Sequence, residues 1–159
     1  MKKYSIATWN GSGLEGSGSL NLQSKILSAA PYTFNSRFND TTGTNSEELL
    51  AAAYATDFTM KLSFILTEAG YPPLELMTTC SVDFDLGRLV SLTLKLSADI
   101  AGIEEDLFNE FVDEANKTCP MSHVLTLKAF IDAQLLKKEN LLPEYLKNSN
   151  VPKEFNDWR

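Results

Sequence analysis

The amino-acid sequence predicts an α+β fold, and three observations carry the prediction. Residues alternate with a period of two near both ends and again over 76–98, as strands do. Between the first and second of these blocks, a run from Thr44 to Gly70 carries helix start and stop signals and is apolar on all sides. A second, amphipathic helical pattern over 104–119 precedes the last alternating stretch.

Residues 4–10 alternate, Gly11, Gly13, Gly16 and Gly18 crowd a polar turn, and Leu20 and Leu22 resume the alternation, which reads as a strand, a turn and a second strand. No Lys-Ser or Lys-Thr follows these glycines, so a hairpin is favoured over a phosphate cradle. The polar loop 35–43 follows, carrying Arg37 beside Phe38.

Thr44-Asn45-Ser46-Glu47 has the form of a capping box, and Gly70 with Pro72-Pro73 is a stop, giving a helix of about 25 residues or about 37 Å. With Leu50, Tyr54, Phe58, Met60, Leu62 and Phe64 distributed around it, this helix is expected to run buried through the middle of the fold. Asp57 falls on an apolar azimuth, where a charge needs a partner.

The alternations 76–84 and 90–98, joined by Asp85-Leu86-Gly87-Arg88, predict an antiparallel hairpin with Cys80 on its core face. Glu104, Glu105 and Asp106 open a second helix that ends near Cys119-Pro120. Leu125, Leu127, Ala129, Ile131 and Ala133 alternate as a last strand. Residues 1–136 are read as one domain, and 137–159 as a C-terminal extension whose Leu141, Leu142, Tyr145, Leu146, Phe155 and Trp158 are candidates for docking on a partner subunit, against the alternative of a frayed terminus.

At 159 residues the chain is long enough to bury a core without disulfides. Its net charge of −7 argues against nucleic acid and anionic membranes as partners. Cys80, Cys119 and the single His123 are too few soft ligands for a structural zinc site, so no metal or cofactor is expected. His123 itself reads as a turn residue. Asp57 and Lys61 break the most apolar segment, and no signal-peptide run follows Lys2-Lys3, which makes a cytoplasmic protein the expectation.

Three segments go further: Asn35-Ser36-Arg37-Phe38, the helix start Gly43-Thr44-Asn45-Ser46-Glu47-Glu48-Leu49-Leu50 running on to Tyr54-Ala55-Thr56-Asp57-Phe58, and Cys119-Pro120-Met121-Ser122. Together they resemble the OsmC/Ohr family of thiol-dependent hydroperoxide reductases over about residues 4–135. The resemblance implies a curved antiparallel sheet around a long central helix and an intertwined homodimer, with pockets for a small apolar or hydroperoxide ligand at the subunit interface. It also implies an attacking cysteine in the long helix and a resolving cysteine in the Cys-Pro turn. Cys119 matches the second, whereas Asp57 stands in the place of the first. Arg37 and Glu47 match the arginine that lowers the thiolate pKa and the glutamate that holds it.

The residues then admit competing readings. Asp57 is expected to pair with Arg37, the alternative being an i, i+4 pair with Lys61 on an exposed face. Cys119 is either a plain buried small residue or a thiol with some thiolate character, Cys80 is core packing, and Arg37 has the alternative of a surface loop charge. Three functions follow: a peroxidase-dead relative that keeps a ligand pocket, a residual one-cysteine reductase acting through Cys119, and, least favoured, an enzyme using Asp57 or Glu47 as general base.

Overall fold

Short local signals set the first half of the chain. In the computed structural model, which describes residues 2–39, 41–85, 87–125 and 129–136, strands β1 (Ser5–Asn10), β2 (Ser17–Leu22) and β3 (Ala30–Thr33) form one antiparallel sheet in that order. Gly18 is required there by close approach: a Cβ on it would lie 2.4 Å from the Tyr32 ring, which crosses β2 so that its hydroxyl can donate to the Thr8 carbonyl at 2.9 Å. β3 was not anticipated from the sequence.

Helix α1 (Ser46–Glu68) starts one residue later than a Thr44 cap would place it. Asn45 is the N-cap and accepts from the Glu48 N–H at 2.7 Å, while Thr44 Oγ1 donates to the Glu48 carboxylate at 2.9 Å. Gly70, at φ +86°, ends the helix in a conformation that side chains resist.

The hairpin of β4 (Glu75–Asp85) and β5 (Arg88–Asp99) forms as predicted, with a bulge at Asp83/Phe84. Then come α2 (Glu105–Thr118), the short α3 (Pro120–Val124) and β6 (Ala129–Leu135). β6 pairs with β5 in parallel, Leu92 against Ala129 through Ala98 against Leu135, so the second sheet, ordered β4-β5-β6, is not wholly antiparallel. A parallel pair needs a crossover, and α2 and α3 lie within it. Residues 126–128 of the expected last strand, and the whole extension 137–159, lie outside the described residues.

The core joins one face of α1 (Tyr54, Phe58, Leu62, Leu66) to Leu92, Leu94 and Leu96 of β5 and to Phe108, Val112 and Ala115 of α2. The expectation of a helix buried on every side is not met within the single chain: Met60 is 57% and Phe64 60% exposed. Both border a groove of about 810 Å³ that Pro73, Leu74 and Met77 complete. On length and composition α1 would suffice to cross a membrane, but its Tyr54, Phe58 and Leu62 face is committed to protein.

Candidate functional site

The site is built on the first turn and the middle of one long helix. A 3-10 turn, Asn35–Arg37, carries Arg37. Ser36, a buried polar residue, fastens that turn to the start of α1: its hydroxyl donates to the Thr44 carbonyl at 2.8 Å, and its own carbonyl accepts from Asn45 Nδ2 at 2.8 Å. These bonds bring Arg37 over the first turn of α1. There its guanidinium forms a two-point ion pair with Glu47, Nε to Oε2 at 3.2 Å and Nη2 to Oε1. The ring of Phe84 lies 4.8 Å and that of Phe38 5.7 Å from the guanidinium carbon. The hydrogen bond to Glu47 raises the Arg37 pKa further, and the same bond holds Glu47 below the usual carboxylate range.

Asp57 lies elsewhere. It follows Glu47 by ten residues, about 15 Å along the helix axis, so an arginine fixed at the first turn is out of reach and the expected Arg37–Asp57 pair does not form. Nor does Asp57 pair with Lys61; among the described residues the ion pair is Arg37–Glu47. Half-buried Asp57 instead faces the elbow between α2 and α3. One oxygen, Oδ2, accepts both the Cys119 thiol and the Met121 backbone N–H, each at 3.0 Å.

Cys119 is the last cap of α2 and the first cap of α3, a position that Pro120 at N1 enforces. Its side chain is 0% exposed. Burial pushes its thiol pKa up, and the hydrogen bond to Asp57 pushes in the same direction, outweighing the backbone N–H groups of Ser122 and Met121 that act the other way. Of the two readings of this residue, burial and the neighbouring carboxylate favour the plain buried thiol.

Cys80 sits half-buried on the inner face of β4 against the core, with its pKa also raised by burial. His123 is exposed on α3. Sequence reasoning missed a polar triangle beside the elbow. The hydroxyl of buried Tyr54 lies 3.0 Å from Ser122 Oγ and 3.5 Å from Asn116 Oδ1, and Ser122 Oγ lies 3.4 Å from the same Asn116 oxygen, so that Tyr54 can donate to Ser122 while Ser122 donates to Asn116. A tyrosine on an apolar helix face, which must find a partner for its hydroxyl, was the available signal. Among the described residues no three His, Cys, Asp or Glu side chains gather as a metal site would require.

The elements therefore bring Asp57 to Cys119 and Arg37 to Glu47, as two separate pairs on one helix. Chemically, the first is a carboxylate that shelters a thiol, and the second a neutralised ion pair beside aromatic rings. A cleft of about 330 Å³ next to Arg37, lined in part by Ala7, Leu20, Tyr32 and Leu49, lies between the first sheet and α1.

Comparison with known proteins gives the family. The chain is 37% identical over 139 residues to the peroxiredoxin OsmC of Escherichia coli strain K12, covering 85% of this chain and 97% of that protein. The backbone superposes on an OsmC-like protein of Mycoplasma pneumoniae with a TM-score of 0.70 at 14% identity, covering 86% of this chain and 99% of that one. For the organic hydroperoxide resistance protein OhrB of Bacillus subtilis the TM-score is 0.58 at 22% identity, with coverage of 84% and 98%. Residues 38–133, which hold Glu47, Asp57 and Cys119, match the family described as OsmC-like protein, and the chain belongs to that family.

Proposed function

We propose that this chain is an OsmC-family protein of the hydroperoxide stress response whose own peroxidase chemistry is lost or greatly weakened. The observation that carries the proposal is the 3.0 Å contact between Cys119 Sγ and Asp57 Oδ2. The resolving-cysteine position of the resemblance meets residue 57, as an attacking cysteine there would require, but residue 57 is a carboxylate. An aspartate cannot accept an oxygen atom from a peroxide to become a sulfenic acid. Arg37 and Glu47, the residues to which the resemblance gives the tuning of that thiolate, are present and paired with each other.

The alternative, a one-cysteine reductase acting through Cys119, is opposed by the burial of that thiol and by the carboxylate that keeps it protonated. A general-base role for Glu47 is opposed by its depressed pKa.

In this reading a second copy of the chain covers the exposed Met60 and Phe64 face of α1, and the small apolar or hydroperoxide ligand binds beside Arg37 and its aromatic neighbours at the interface. The decisive experiment is consumption of an organic hydroperoxide with a dithiol reductant, using Escherichia coli peroxiredoxin OsmC as the positive control. Turnover at background is expected. Rapid turnover that disappears in Cys119→Ser would establish the one-cysteine alternative instead.

A further inference from the structure

We propose that Tyr54 is a positioning residue: through Ser122 and Asn116 its hydroxyl latches the α2–α3 elbow, so that the Cys119 thiol and the Met121 N–H converge on residue 57 and Cys119 stays closed to reagents. This deepens the reading of the Asp57–Cys119 contact given above, but it concerns how the contact is held and not whether peroxide is reduced.

Two features of the elbow call for such a latch. α3 has only five residues, too few to hold its own orientation by helix hydrogen bonds, and Cys119 is extended, at φ −64° and ψ 125°, so the chain turns at that residue. What fixes α3 must therefore come from outside it. Met121 packs against the core, and the side-chain hydrogen bonds of α3 to its neighbours run through Ser122, whose hydroxyl reaches Tyr54 on α1 and Asn116 on α2 at once. The triangle thus touches all three helices that meet at the elbow.

Tyr54 is also well placed in phase. It precedes Asp57 by three residues, so both project from neighbouring positions on one side of α1. One grips Ser122 and the other Met121 and Cys119. With 1% of its surface exposed, Tyr54 cannot trade Ser122 for bulk water without the elbow moving. Loss of the hydroxyl should therefore raise the population of an open elbow and leave the core intact.

The test is the rate at which N-ethylmaleimide labels each cysteine of the full chain, resolved by peptide mass spectrometry. Cys80, half-buried on β4, reports general loosening, and Cys119 reports the elbow. Tyr54→Phe and Ser122→Ala should each speed labelling of Cys119 about fivefold while Cys80 keeps its rate. The double variant should add little, because the two act as one unit, and Ser122→Thr, which keeps the hydroxyl, should restore the slow rate. An unchanged Cys119 rate in Tyr54→Phe, or equal acceleration of both cysteines, would overturn the proposal. Peroxide turnover by the unaltered chain would refute the reading of the function and leave this result standing.

Discussion

Asp57 and Cys119, 62 residues apart in sequence, meet through a thiol hydrogen bond of 3.0 Å on the same carboxylate oxygen that accepts the Met121 N–H. That oxygen is the joint between the long helix and the elbow of the crossover, and it adds to the effect of burial in raising the thiol pKa.

The first expected outcome is a change in thiol titration. Asp57→Asn keeps an oxygen acceptor and removes the negative charge that raises the Cys119 pKa. The Cys119 pKa should therefore fall, and its alkylation rate should reach half-maximum at lower pH than in the unaltered chain. A profile that stays in place would mean that burial alone sets it.

Stability should respond to Asp57→Ala by about 1–3 kcal/mol, the cost of leaving a part-buried N–H and a thiol without their acceptor. This is less than the removal of a buried ion-pair partner would cost, because Arg37 keeps Glu47. Urea denaturation of the variant beside the parent measures it.

The pair Arg37–Glu47 should contribute only modestly, from a few tenths to about 1 kcal/mol, since 35% of the Arg37 side chain remains open to solvent. Its folded-state carboxyl lies below the ordinary value of 4.5. The contribution is therefore complete above pH 4.5 and disappears as pH falls through the lower, folded-state value. Glu47→Gln should therefore lower stability by that modest amount at neutral pH, with the difference from the parent vanishing as pH falls through the folded-state value.

Asp57→Cys should create peroxidase activity. The introduced thiolate attacks the O–O bond of an organic hydroperoxide, an S–O bond forms, and the alcohol leaves with a proton. Cys119 then displaces water from the sulfenic acid to give a disulfide, which an added dithiol reduces. Mass spectrometry should find the disulfide between position 57 and Cys119, and turnover should follow. A folded variant that does neither would limit the resemblance at this pocket to its fold.

Oligomeric state tests the face of α1 that the chain leaves open. The unaltered protein should sediment as a dimer, and Phe64→Glu, which puts a charge on a side chain 60% exposed in the single chain, should sediment as a folded monomer.

Much of the fold was legible because its signals are local. The Gly70 stop, the turn between β4 and β5, the acidic start of α2 and Pro120 after Cys119 each act within a few residues. β3 was not legible, since four residues containing Pro31 are too few to show alternation. The direction of β6 was hidden for another reason: alternation is the same in a parallel and an antiparallel strand.

At the site, the helical projection identified Asp57 as a charge that needed a partner, and the resemblance supplied Arg37, which within the chain pairs with Glu47 instead. A projection discards distance along the axis, and that distance separates Arg37 from Asp57. The Met121 donor belongs to the backbone, which side-chain patterns do not describe.

The parallel pairing of β5 with β6 also bears on the order in which the chain folds. α1 and the β4–β5 hairpin are contiguous and close short loops, whereas the elbow reaches Asp57 only when the whole crossover has docked. In a chain still being made, Cys119 is therefore expected to stay open to oxidants and to alkylating reagents until the elbow docks. A pulse of thiol reagent during refolding therefore reads completion of the fold at one atom, the Cys119 sulfur.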